Sequence, residues 1–560
     1  MLQTIVRKNQ YQDSVALMVL SRTLSDLDGV AMVSVMMGTP ANKQILADTG
    51  FSTPELDDAA PSDLVIGVDA DDQETVDSVL AQASEQLKNQ AAAGGGATRT
   101  TVRSLARAQS KLPGANLALV SIPGEYAAAQ AHHLLDAGLH VMLFSDNVTV
   151  ADEASLKQRA RDLGLLVMGP DCGTAAFAGT ALAFGNLTSP GSIGVVGASG
   201  TGTQEVMVQI DRLGAGVSQA IGLGGRDLSE QIGGGTCLQA LAALDADPAT
   251  DTIVIVSKPP APQVRARVEE AAQGLSKPVV AVILGERPDA ARVGNITYAA
   301  TLADAAHRAV ELAGTAGFPR SDGGVVGMFT GGTLANEAAM ILRDELGLPA
   351  DNGEHPAGSM LHEGPHRVVD LGDDVYTQGR PHPMIDPTLR AELLPGVLAD
   401  PTTAVLLLDV VTGYGSAADP AGAIIPAIAE GVASARADGR EVAVVASVTG
   451  TARDPQALDA QVQALRDAGV RVLPDNASAA RHAAALARAA ADRRPHPDAA
   501  PAPAAVTALL TDGPKVINLG LASFADDLIE QQAGVVHWNW TPPAGGDPRL
   551  ARLVDLLMER

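Results

Sequence analysis

The sequence predicts an α/β protein, with several Rossmann-like and flavodoxin-like doubly wound parallel-sheet domains behind a small N-terminal α+β domain. Three observations carry this. Short apolar runs alternate with segments of helical period, the pattern of parallel βαβ units. The composition is 46% hydrophobic but only 2% aromatic, with 57 glycines, which suits many small parallel sheets better than β-sandwiches. One strand–glycine turn–helix plan also occurs twice, at 191–205 (GSIGVVGASGTGTQE) and 324–336 (GVVGMFTGGTLAN). At 560 residues the chain exceeds one core, and roughly three to five domains are expected.

Residues 1–90 read as strands at 4–8, 30–37 and 64–69 and helices at 14–24, 41–47 and 73–88. This is the small N-terminal domain. Residues 91–97 (AAAGGGA) are a linker by composition. Residues 99–190 form a Rossmann-type unit, with strands at 116–122, 140–144 and 165–168 and a helix from 123 to about Gly138. Ligands of such sheets sit at strand C-terminal ends.

Residues 191–320 and 321–490 are the two repeated flavodoxin-type units. In the first, Val206, Ile210 and Leu213 recur at helical spacing behind the glycine turn. Free N–H groups and the positive helix end make such a turn an anion site; a turn that merely packs on its sheet is the alternative. The repeat suggests two helix dipoles facing one phosphate. Ser199, Gly200, Thr201 and Gly202 in one copy, and Thr330, Gly331, Gly332 and Thr333 in the other, are the expected phosphate-binding residues. The proline-stiffened loop 379–387 carries Arg380 and His382, residues suited to anion recognition or proton transfer, or the loop is a structural crossover. Residues 491–505 are a Pro/Ala linker. Residues 506–560 hold a strand–helix pattern, both tryptophans and a helix at 550–558, and are expected to dock a partner, or equally to plug their own domain with the tryptophans.

The chain has 65 acidic against 39 basic residues, a net charge of −26. That argues against nucleic acid and anionic membranes as partners. Cys172 and Cys237 are the only cysteines, too few for a disulfide framework or a Cys-rich metal site. A reducing cytoplasm is expected. No apolar run reaches membrane-spanning length, and no metal site is expected.

Residues 100–320 resemble the α subunit of succinyl-CoA synthetase and other NDP-forming acyl-CoA synthetases. The matching stretches are the turn 169–173, GSIGVVGASGTGTQE, GLGGRD at 222–227 and KPVVAVILG at 277–285. Residues 321–490 resemble the carboxy-terminal ligase domain of the β subunit. The order of pieces resembles the FdrA family. The resemblance implies two departures. Asn295, in Gly-Asn-Ile-Thr-Tyr, stands where those synthetases carry a phosphohistidine in Gly-His-Ala-Gly-Ala, and an amide cannot relay a phosphoryl group. Lys258 stands in place of an orienting glutamate. Residues 1–90 are too short for an ATP-grasp domain.

The FdrA resemblance implies a subunit of an oxamate carbamoyltransferase of allantoin catabolism. Carbamoyl phosphate, or phosphate, is then the ligand, with CoA or a nucleotide left open and other subunits as partners in an oligomer. On this reading Asn295, Lys258, Arg226 and His382 line the catalytic site, and Arg380, Gly224 and Gly225 bind substrate. The rival readings are an acyl-CoA synthetase subunit, with CoA on 115–190, and a non-catalytic scaffold.

Overall fold

Long strands in this chain are buried along nearly their whole length. Thr403–Val411, apart from Asp409, and Thr252–Ser257 read as apolar runs buried almost throughout, as parallel strands covered on both faces must. The structure is a computed structural model describing residues 1–542, apart from 9, 11–13, 61–62, 93–98, 288–289, 316–322, 352, 354 and 493–501. It is a mixed α/β protein with several parallel sheets and a small N-terminal domain. The chain divides into two compact units. One comprises Met1–Gly185, Gly222–Thr236 and Pro503–Arg560; the other comprises Asn186–Ile221 and Cys237–Ala502.

In the first unit, an antiparallel sheet orders Leu2–Arg7, Leu64–Ala70 and Val30–Met37, with Leu64–Ala70 central. The helices Ser14–Ser25 and Gln73–Ala92 supply the other half of its core, including Leu17, Leu20, Val76 and Val79. A second, parallel sheet follows the order Thr101–Val102, Gly534–Trp538, Lys515–Leu519, Leu117–Val120, His140–Leu143, Val167–Met168. Two of its inner strands therefore come from the far end of the chain. Of the two readings of this C-terminal segment, the structure shows the one in which it completes its own domain. Trp538 and Trp540 are 9% and 5% exposed within its core, the Trp540 ring lies 5.5 Å from Tyr126, and its Nε1–H donates to Gln130.

In the second unit, one sheet runs Arg292–Val293, Ile296–Ala299, Val279–Ile283, Thr252–Ser257, Pro190–Gly197, Val217–Gly222. The strands from Ile296–Ala299 to Pro190–Gly197 are mutually parallel. The other sheet runs Ser359–Glu363, His366–Asp370, Gly324–Phe329, Thr403–Val411, Ala443–Thr449, Arg471–Leu473, and only its first pair is antiparallel. The helix Leu302–Leu312 packs against both Gly200–Arg212 and Asn476–Asp492. Buried Glu311 fastens this junction, accepting from Arg481 and Ser478 at 3.0 and 3.2 Å.

The linker expected at 91–97 begins as helix at Ala91 and Ala92; 93–97 lie outside the described residues. At 491–505, residues 491–492 close a helix, 493–501 lie outside the described residues and Ala504–Asp512 is helical. The helix expected at 550–558 also lies outside them. Among the described residues no helix is long and apolar enough to cross a membrane.

Candidate functional site

The strand Pro190–Gly197 ends in a turn shaped by its neighbours. Ala198 N–H donates to Val256 O at 2.9 Å, which ties the turn to the adjacent parallel strand. Ser199 caps the helix Gly200–Arg212, its Oγ accepting from Gly202 N–H at 3.3 Å. Thr203 Oγ1 donates back to Ser199 O at 2.7 Å. A Cβ at Gly197 would lie 1.8 Å from that hydroxyl, so only glycine fits. The Gly202 amide is thus spent on Ser199. Gly200 and Thr201, both exposed, occupy the first two helical positions, where an amide has no carbonyl in its own helix. These two donors are the ones the turn leaves for an anion.

Lys258 lies at the same edge. The neighbouring strand pairs Val256 with Gly197, so Lys258, two residues on and exposed, emerges beside the turn.

The second turn is built differently. Thr330 N–H and Oγ1 donate to Asp409 at 2.9 and 3.0 Å, and Gly331 N–H donates to the same carboxylate at 2.9 Å. Asp409 is fully buried and paired with buried Arg390 at 2.9 Å. The Asp370 carboxylate sits against Gly332, 2.5 Å from where a Cβ would be. The expectation that Thr330 and Gly331 cradle phosphate is therefore corrected, because an internal carboxylate takes their donors; Gly332 and Thr333 open the helix Gly332–Leu346 as Gly200 and Thr201 open theirs, but with the Asp370 carboxylate against Gly332. A phosphate there would meet two acids. Thr333 is exposed beyond them.

Asn295 is also corrected. It precedes the strand Ile296–Ala299, which runs parallel to Val279–Ile283. That places it at the strand N-terminal edge, opposite the Ser199 turn. Its Nδ2 donates to the carbonyls of Ala272, Leu275 and Lys277 at 3.3, 3.2 and 2.6 Å. It pins a loop and does not line a relay site. The only histidine between 190 and 315 is His307, midway along the Leu302–Leu312 helix.

Gly224, Gly225 and Arg226 belong to the first unit. Arg226 donates to buried Glu153 and to Val148 O, both at 2.8 Å. Glu153 and Asp227 in turn flank buried Lys157 at 3.0 and 2.8 Å. A Cβ at Gly224 would lie 2.4 Å from Pro170 O, and Gly225 has open space around it. Arg226 is thus committed to a structural ion network. His382 lies by the second turn: its Nδ1 accepts from Met384 N–H at 3.2 Å, and its Nε2 faces Gly372. Burial raises the Asp370 carboxyl, Gly372 N–H opposes that, and nearby Asp373 and Asp409 add to it while His382 counters. Arg380 is exposed.

Asp409 and Arg390 were legible but unread. An aspartate inside Ala-Val-Leu-Leu-Leu-Asp-Val-Val, and an arginine in helical phase with Leu394 and Leu398, are buried charges that need each other.

A family model described as CoA binding domain matches residues 188–285, spanning the Ser199 turn and Lys258. One described as CoA-ligase matches 328–486, and one described as AllF, heavy metal-associated domain, matches 1–103. The α-subunit of an ADP-forming succinate–CoA ligase of Archaeoglobus fulgidus is 29% identical over 190 residues, 32% of this chain and 63% of that subunit. The dinucleotide-forming acetyl-CoA synthetase 1 of Ca. Korarchaeum cryptofilum, solved with phosphate and ADP, superposes with a TM-score of 0.50 at 17% identity, covering 68% of this chain and 85% of that one; it shows the shared fold.

The turn, the two sheets and these matches define a protein with CoA-binding and CoA-ligase domains on a fold like that of succinyl-CoA synthetases. More narrowly, the chain belongs to the FdrA-like family that includes YahF of Escherichia coli K12, an uncharacterized protein 40% identical over 489 residues, 83% of this chain and 95% of that protein.

The heavy-metal description does not fit the residues present. Residues 1–92 contain no cysteine and no histidine, the thiolate and imidazole ligands that heavy-metal sites usually draw on, and methionine is the only soft ligand left there. Among the described residues no cluster of His, Cys, Asp and Glu could hold a metal.

Proposed function

We propose that this chain is a subunit of an acyl-CoA-ligase-type enzyme, passing an acyl group between phosphate and the thiol of CoA at the Ser199 turn without a phosphohistidine. The observation that carries the reading is the pair of unfilled amides, Gly200 and Thr201, beside exposed Lys258, in a stretch (190–315) whose single histidine, His307, lies mid-helix. The phosphate of an acyl phosphate rests on those amides, with the helix dipole and Lys258 offsetting its charge. The thiolate attacks the carbonyl carbon. A C–S bond forms, the C–O bond to phosphate breaks, and phosphate leaves with the electron pair; the thiol proton goes to solvent. Catalysis is positioning and electrostatics, so no covalent carrier is needed.

Membership of the FdrA-like family favours a second reading of the same site: carbamoyl phosphate as donor and oxamate as acceptor, with oxalurate and phosphate as products of allantoin catabolism, in a complex with other subunits.

The test follows phosphate release by the full chain, alone and with its partner subunits, from acetyl phosphate plus CoA and from carbamoyl phosphate plus oxamate. Acceptor-dependent release from the first pair supports the main reading, and from the second pair the alternative. Gly200→Pro removes one amide at a position where proline suits a helix start, and Ser199 before it is already extended. It should lower release about 10²-fold with the fold intact. Silence with both pairs, and no stabilisation by phosphate, would leave a scaffold.

A further inference from the structure

At the strand N-terminal edges of the second unit, away from the Ser199 turn, lies a cavity of about 430 Å³. It opens between the starts of Ala443–Thr449 and Arg471–Leu473 and the end of the Leu302–Leu312 helix. Two hollows of about 290 Å³ each share Arg471 with it and reach Gly214, before the strand Val217–Gly222 of the other sheet. Both flavodoxin-type modules therefore contribute walls.

Their charge is one-sided. Across the three hollows the charged lining residues are Arg436, Arg466 and Arg471, with no carboxylate among the described residues. This occurs in a chain with 65 acids and 39 bases, where chance favours the opposite sign. None of the three guanidiniums has a hydrogen bond or ion pair within the described residues; Asp251, the carboxylate whose charge acts on Arg471, accepts from Gly314 N–H at 3.0 Å. Arg436 and Arg466 end helices, where a cation offsets the dipole. Arg471 opens a strand and has no such reason to be there. His482, also in the wall, is buried with Nδ1 on Glu311 O at 2.5 Å; burial pushes its pKa down to about 4, against the pull of that carbonyl, so it is neutral. The remaining wall is apolar, with Ile428, Val432, Val444 and Leu486.

We infer that this cavity binds a small organic polyanion, an apolar body carrying at least two negative charges, held by Arg471 between Arg436 and Arg466. Arginine forks match phosphate and carboxylate groups alike, and the volume is that of a metabolite site. A ligand seated there touches both modules and acts on their junction, separately from the acyl-transfer turn.

The experiment is calorimetric titration of the full chain with ADP and, in parallel, with adipate, which separates a phosphate ester from a dicarboxylate. Saturable binding of at least one probe is expected. R471Q should weaken it at least tenfold, R436Q at least threefold, and G200P should leave it unchanged. R436Q alters an exposed side chain and so remains informative if R471Q folds poorly. Absence of saturable binding by both probes, equal affinity in R471Q and R436Q, or loss of binding in G200P with retention in R471Q would each overturn the assignment. The G200P arm keeps its failure distinct from failure of the acyl-transfer reading.

Discussion

Asn295 shows how a single residue can be aligned correctly in a motif and misplaced in space. Its amide serves three carbonyls at the far edge of the sheet, so restoring histidine there restores nothing. N295H is expected to remain unlabelled by radioactive ATP, even with partner subunits, and to lose stability by about 1–3 kcal/mol, because a ring cannot meet the three carbonyls this amide serves. Acid-labile label on N295H would contradict the placement. His140 supports a second residue-scale prediction. Its Nδ1 accepts from Leu166 N–H at 3.0 Å and its Nε2 faces Ala505 O at 3.1 Å. Burial depresses its pKa from 6.5 to about 4, with Ala505 pulling the other way. Between those values the unfolded chain takes up a proton that the folded chain refuses. The stabilisation is therefore complete above pH 6.5 and is lost as pH falls towards 4. His482 and His537 are depressed to about 4 as well, chiefly by burial. The carboxyls of Glu311 and Asp251, raised mainly by burial, titrate in the opposite sense and offset part of the loss. The melting temperature should fall between pH 6.5 and 4.5, and less steeply in H140Q; a flat profile would contradict the burial account.

At the scale of elements, the sequence was most legible where strands are buried on both faces and helices carry their own caps. Thr301, for example, accepts from Asp304 N–H ahead of the 302–312 helix. The Ser199 turn was legible for the same reason, since a small-residue bend between a buried strand and an amphipathic helix has few alternatives. Pairing across long stretches of chain was not legible. Nothing local in Lys515–Leu519 says that it lies beside Leu117–Val120, and two tryptophans in an aromatic-poor chain looked as much like a docking surface as a core. Nor did the repeat at 324–336 reveal that Asp409, almost eighty positions on, takes the amides of Thr330 and Gly331. The swapped-in strands carry a prediction. Truncation after residue 502 removes Lys515–Leu519 and Gly534–Trp538 from inside the sheet, exposing Leu117–Val120 as an edge. The truncated chain should aggregate or melt non-cooperatively. In the intact chain, tryptophan emission should be that of buried rings and should redshift on unfolding. Unchanged solubility and melting after truncation would contradict the pairing.

Across the whole molecule, a fold of the acyl-CoA synthetase type leaves the Gly200 and Thr201 amides open at one helix-start turn, ties Thr330 and Gly331 of the other to its own aspartate, and carries a single histidine, His307, between 190 and 315. In a chain of net charge −26, those open amides and the three arginines without partners are where the two proposals above place small anions. Chemistry without a covalent carrier is the central claim of the proposed function. Its most direct test is a rapid quench of the full chain, with its partner subunits, turning over CoA and acetyl phosphate labelled in the phosphoryl group. The account predicts label released as free phosphate, none on protein at any time, and release slowed about 10²-fold by G200P. Label held transiently on a histidine of this chain would contradict it.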